Sequence, residues 1–168
     1  MNTLLRILKH RWLDERDAQR ALGVGGLQRI EERVAASETG HIGEVRVCVE
    51  AGLPLSYLWR GATARERAIS MFGKLRVWDT EHNSGVLIYL LLAEHRIEIV
   101  ADRGITNRVP AATWQAISDT MGSAFKRDDY VGGLVDAIGQ VGALLTQHFP
   151  ADATQPNPNE LPDRPYVR

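Results

Sequence analysis

Three carboxylates, Asp79, Glu81 and Asp102, are the residues whose types and spacing bear most directly on chemistry. Asp79 and Glu81 stand in WDTEHNSG (78–85), and Asp102 opens the DRG turn that follows IEIVA (97–101). Carboxylates in loops are hard oxygen donors suited to Ca²⁺ or Mg²⁺, with Asn83 and loop carbonyls completing the shell. Asp102 also has Arg103 and Arg108 beside it. Phosphoryl hydrolysis needs a positioned nucleophile or base and positive donors at the equatorial oxygens. The metal candidates are therefore Asp79, Glu81 and Asp102, and the catalytic candidates are Asp102 and Arg103. The competing reading is structural: aspartates in turns commonly accept backbone amides, and calcium asks for about six to eight oxygens.

Other reactive residue types carry less. His41, His82 and His95 show no HxH or HExxH spacing and read as scattered histidines. Cys48 is the single cysteine, which excludes an internal disulfide and a multi-thiolate zinc site. Nothing near it in sequence would activate a thiolate, so packing is expected. The segment LSYLWRG (55–61) places Tyr57, Leu58 and Trp59 together in a loop. An apolar loop of this kind either folds onto the body or meets a partner, which makes Tyr57, Leu58 and Trp59 the candidate partner-binding residues.

The elements that must hold these residues follow from periodicity. EVRVCVE (44–50) alternates, with Val45, Val47 and Val49 on one face and Glu44, Arg46, Cys48 and Glu50 on the other. GVLIYLLLA (85–93) is continuously apolar, as a central strand covered on both faces should be. Glu94-His95 makes a hairpin turn and residues 97–101 return as a third strand. Helices are predicted at 14–22, at 26–39 through Leu27, Ile30 and Val34, and from the Thr63–Glu66 capping box to about 75. That last helix is expected to bury Ala68, Ile69, Phe72 and Leu75. Two more run from Pro110, burying Trp114, Ile117, Met121 and Phe125, and from Asp129 to Pro150, with Val131, Leu134, Val135, Ile138, Val141 and Leu145 on one stripe.

The helix between the first two strands makes them parallel, and the hairpin makes the third antiparallel. The expected fold is α/β: a three-layer α/β/α sandwich with a mixed sheet of about four strands and helices on both faces. Chain direction brings 79–83 and 102–107 to one edge of the sheet, together with His41 and Glu44, and sends Asp128-Asp129 to the opposite end. Three regions are expected: an N-terminal helical segment packing on the domain (1–25), the α/β/α domain (26–150), and a flexible tail (151–168) holding four of the seven prolines.

The chain has 168 residues, with 20 basic against 21 acidic side chains. This balance offers no bulk attraction for nucleic acid, and no nucleic-acid partner is expected. Near the N-terminus Leu4, Leu5, Ile7 and Leu8 are interrupted by Arg6 and Lys9. No secretory signal is read there, and the longest apolar run is about half of the ~20 residues that span a bilayer. A cytoplasmic location without a transmembrane segment is the expectation. A Leu-rich helix start either docks on its own core, the expected outcome, or touches a membrane or partner.

The stretch DTEHNSGVLIYLLLAEHRIEIVADRGI (79–105), followed by a Trp-bearing helix and FKRDDYVGGLVDAIGQVGALL, resembles the TPM-domain family. The likeness is closest over 83–105, extends loosely over 26–148, and is strongest to the short bacterial branch, which lacks a signal peptide and membrane anchor. The resemblance implies an α/β/α sandwich and links the chain to thylakoid-lumen proteins described as acid phosphatases. It also implies calcium sites in some members, at positions that here would be Asp79 and Asp102. Arg108 stands where long-branch relatives often carry an acid, which departs from the pattern. Short members often accompany long TPM proteins and LemA-like membrane proteins. The resemblance therefore implies an accessory module with a membrane-associated protein partner, peripheral to the inner membrane through that partner.

Overall fold

Strand β1 (Glu44–Glu50) lies parallel to β2 (Gly85–Leu91), with Glu44 opposite Gly85 and Glu50 opposite Leu91. A tight turn at Leu92–Glu94, closed by His95 at φ 49°, reverses the chain into β3 (Arg96–Ala101), antiparallel to β2. A two-residue strand, β4 (Tyr166–Val167), pairs parallel with the outer side of β1, so the sheet order is β3-β2-β1-β4. The computed structural model describes residues 3–152 and 159–168. Every residue of β2 is buried, as its unbroken apolar run requires of a strand between two helical layers.

Helices α1 (Thr3–Trp12), α2 (Glu15–Leu22) and α3 (Gly26–Glu38) precede the sheet. Helices α4 (Leu55–Trp59) and α5 (Ala64–Lys74) form the crossover that parallel β1 and β2 need. After β3 come α6 (Arg103–Thr106), α7 (Ala111–Phe125) and α8 (Tyr130–His148). One apolar layer joins Val45, Val47, Val49, Val86, Ile88 and Leu90 to side chains of α2, α3, α7 and α8. The opposite layer joins Cys48, Leu87, Tyr89 and Leu91 to α4 and α5. The mixed sheet with helices on both faces is the α/β arrangement expected from the sequence.

Several local expectations change. Helix α5 is rotated from the face its apolar residues suggest: Ala68 is buried, but Arg67 and Met71 go inward with it while Ile69 is exposed. The reason is Glu50, a buried carboxylate on β1 that needs a cation opposite it. Phe72 and Leu75 are only partly covered, and Trp114 on α7 is half-buried. The region expected as a flexible tail divides: residues 153–158 lie outside the described residues, whereas 159–168 form a strap along β1. Arg168 N donates to Val49 O at 3.0 Å and Ala51 N donates to Arg168 O at 2.7 Å. Among the described residues no helix is long and apolar enough to cross a membrane.

Candidate functional site

The two polar loops meet, as chain direction required. Asp102 N donates to Gly85 O at 2.9 Å, which ends β3 beside the start of β2. Gly104 N donates to Asn83 O at 3.0 Å, and Arg103 Nε donates to Asn83 Oδ1 at 3.2 Å. Asn83 adopts φ 51°, a left-handed conformation that asparagine tolerates. Residue 104 must be glycine here, because a Cβ would stand 2.5 Å from Asn83 O and 2.6 Å from His82 O.

The carboxylates of Asp79 and Asp102 at this edge are nevertheless occupied separately. Asp79 pairs with Arg76 three residues back. Glu81 contributes its backbone N–H to the Glu160 carboxylate at 3.3 Å. Asp102 caps α6, its Oδ1 accepting from Arg103 N at 2.6 Å, while Oδ2 is buried. Arg108 turns away, donating to His148 O at 2.6 Å with its guanidinium 4.4 Å from the Phe149 ring. Among the described residues no three His, Cys, Asp or Glu side chains form a group able to hold a metal ion. Asp79, Glu81 and Asp102 therefore do not form one three-carboxylate group, and no chemistry is routed through a metal.

Alternation places Glu44, Arg46 and Glu50, with Cys48, on the face of β1 opposite its valines. The structure buries that face and gives each charge a partner. Glu44 accepts from Glu160 N at 3.0 Å and Leu161 N at 3.1 Å. Arg46 donates to the carbonyls of Pro162 and Arg164, so these two residues clamp the strap. Glu50 receives a two-pronged ion pair from Arg67, one arm at 2.7 Å, and the Tyr89 hydroxyl donates to it at 2.8 Å. Burial alone would lower the Arg67 pKa, but Glu50 outweighs it and holds the guanidinium above its ordinary value. Burial, with the Glu50 charge, pushes the Tyr89 phenol up, and burial likewise pushes the Cys48 thiol up, which disfavours the anion of each. Glu38 accepts from Val45 N at 3.0 Å, and burial, with Glu44 and Asp163 nearby, pushes its pKa up to about 8. Sequence spacing carried no sign of this last group, because its members come from α3, β1 and the strap.

The histidines do not converge. His41 is buried with Nδ1 2.8 Å from Gly43 O, His82 is exposed in the 78–85 loop, and His95 sits in the β2–β3 turn 3.4 Å from the Tyr130 hydroxyl.

Apolar surface collects on the α1 and α4 side. Residues 55–59 form a short helix, not an irregular loop, and its three candidate residues separate. Leu58 is buried in the core, so it is unavailable to a partner. Tyr57 is half-covered, flanked by Arg60 at 4.5 Å and Arg67 at 5.0 Å from its ring centre. Trp59 is 75% exposed, beside Leu55 at 45%. Helix α1 is fixed to the body by polar contacts. Arg6 Nε donates to Glu94 at 2.7 Å, His10 Nε2 bonds the same carboxylate at 3.0 Å, and His10 Nδ1 accepts from Leu53 N at 2.9 Å. Burial holds the His10 pKa below its ordinary value despite Glu94. Its outward face carries Leu4, Leu5, Leu8 and Trp12, all exposed. A Leu-rich helix start usually docks on its own core; here Arg6, Ile7 and His10 dock, and Leu4, Leu5, Leu8 and Trp12 face out.

The family model for the TPM domain matches residues 16–144. With most of its length matched, the chain belongs to the TPM-domain family. Among solved structures it is similar to the BA42 protein from the psychrophilic bacterium Bizionia argentinensis, determined by NMR. The two are 26% identical, the alignment covers 84% of this chain and 91% of that one, and the TM-score is 0.73. No curated protein matches the chain.

Proposed function

We propose that this TPM domain is a cytoplasmic accessory module that docks on a protein partner through α4, with Trp59 as the anchor. One observation carries the reading: Trp59 stands 75% exposed on a helix whose neighbouring Leu58 is locked into the core. A large aromatic held outward by a rigid support is the common form of an interface hot spot. Arg60 and Leu55 beside it supply a polar rim and further apolar surface. The family resemblance adds the partner class, a membrane-associated TPM or LemA-like protein. The test is Trp59→Ser in a pull-down from detergent-solubilised membranes. The expected result is loss of the recovered partner with an unchanged melting temperature; an unchanged partner set removes α4 as the contact.

A second reading, phosphatase chemistry at Asp102 and Arg103, is favoured by the meeting of the 78–85 and 102–108 loops. Against it stands the burial of Asp102 Oδ2, which a phosphate could reach only after the cap of α6 opened. Hydrolysis of an aryl phosphate by the purified protein, lost in Asp102→Asn, would establish this reading. Absence of any Asp102-dependent hydrolysis leaves the docking module.

A further inference from the structure

We infer that the outward face of α1 is a lipid-contact surface that seats on an anionic bilayer, independently of the partner on α4. Helix α1 carries an apolar sector that faces away from the body. At 100° per residue, Leu4, Leu5, Leu8 and Trp12 fall within one sector, and all four are exposed, at 68, 60, 49 and 84% respectively. Arg6 and His10 fall on the opposite side and bind Glu94. Ile7, next to this side, packs on the core, so the four exposed apolar residues form a second apolar sector that the core does not use.

Charge decides which apolar partner fits. Lys9 and Arg11 are both exposed and flank the leucine and tryptophan sector on its two sides. Helix α1 contains no acidic residue. The acids that follow it are engaged within α2: Asp14 and Asp17 form its capping box, Asp17 also pairs with Arg20, and Glu15 accepts from Gln19. An apolar stripe with Trp at its C-terminal end and cations at both borders matches an interface with lipid tails below and anionic headgroups at the rim. A protein surface could cover the leucines equally well, but one that complemented both borders would need two acidic rows at the spacing of this helix. A headgroup layer supplies negative charge along both borders at once.

The orientation follows. With Arg6 and His10 holding α1 to the body, the helix lies in the membrane plane, and Trp12 reaches the headgroup boundary. Only a single short helix inserts, so binding is reversible and salt-sensitive.

The experiment uses the full chain in co-sedimentation with phosphatidylglycerol–phosphatidylcholine vesicles against pure phosphatidylcholine vesicles. The expected result is binding to the anionic vesicles, weak or no binding to the neutral ones, and release by salt. Lys9→Gln with Arg11→Gln should weaken binding by on the order of tenfold or more, since each cation near such a surface contributes a few-fold. Leu5→Glu with Leu8→Glu should abolish it, and both double variants should keep the parent melting temperature because the replaced side chains are exposed. Equal binding to both vesicle types, or binding unaffected by either double variant, overturns the inference. So does self-association in sedimentation velocity that Leu5→Glu with Leu8→Glu removes, which would make the face a contact between copies. A photo-crosslinker at position 8 that captures a discrete protein in cells in place of lipid overturns it too. None of these outcomes bears on Trp59, so the docking reading of α4 stands or falls separately.

Discussion

Arg67→Met isolates the buried ion pair at the centre of the sheet. Arg67 and Glu50 have side chains 1% exposed, and the Tyr89 hydroxyl completes the carboxylate's partners. Methionine fills much of the arginine stem's volume, so the packing loss is small compared with the charge left behind. An uncompensated buried carboxylate costs about 3–5 kcal/mol. For a chain of this length each kcal/mol lowers the melting temperature by about 2–4 °C, so the expected fall is about 6–20 °C. The double variant Glu50→Gln with Arg67→Met removes both charges and keeps an acceptor for Tyr89. Replacing a buried pair with neutral groups of similar volume is often close to neutral, so the double variant should recover all but about 1–2 kcal/mol. Urea denaturation followed by circular dichroism measures all three proteins, with a shared slope confirming that the unfolding reaction is the same. The reasoning is refuted if the single variant loses less than about 1 kcal/mol, or if the double variant is no more stable than the single one.

Glu38 gives a pH dependence of defined sign. Its folded pKa of about 8 lies above the ordinary 4.5, so between these values the folded protein keeps a proton that the unfolded chain has lost. Its contribution is complete at low pH and drains as pH rises toward 8, by on the order of 3–5 kcal/mol in total. Glu38→Gln mimics the protonated form and should flatten the decline in stability between pH 5 and 8, measured by urea midpoints; an unchanged slope would place the effect elsewhere. Gly104→Ala should destabilise by about 1–3 kcal/mol by forcing the 78–85 and 102–108 loops apart. Amide exchange at Asp102 and at residue 104, whose N–H groups donate to Gly85 O and Asn83 O, should rise with it, and a neutral effect would mean that the two loops are not held by this contact.

The sheet was legible because its strands carry unambiguous patterns: the alternating valines of β1, the unbroken apolar run of β2 and the short return of β3. Their pairing then fixed which loops share an edge, and Asn83 does accept from Gly104. What periodicity could not reveal is the fate of charges on a buried face. Alternation puts Glu44, Arg46 and Glu50 on one side of β1 and says nothing of what they meet there. Their partners lie on α5, on β2 and in a strap more than a hundred residues away, and no local window contains them. The same blindness misplaced α5, whose apolar residues favour burying Ile69 while Glu50 requires Arg67. Leu58 and Trp59 are adjacent and both apolar, and only the packing of α4 decides that one is core and the other surface. Asp79 and Asp102 were correctly placed at one sheet edge; Arg76 and the first turn of α6 then claimed them individually.

The strap has a consequence for synthesis. The outer side of β1 is completed by residues that leave the ribosome after about 117 more have been made, judging by the separation of Glu44 and Leu161. At ordinary translation speeds that is roughly 6–23 s during which Glu44 and Arg46 have no strap to bind and the strand's free margin is open to other chains. Nascent protein stalled or cut before the strap emerges therefore presents a sticky half-finished border, and handling by chaperones should concentrate on that interval.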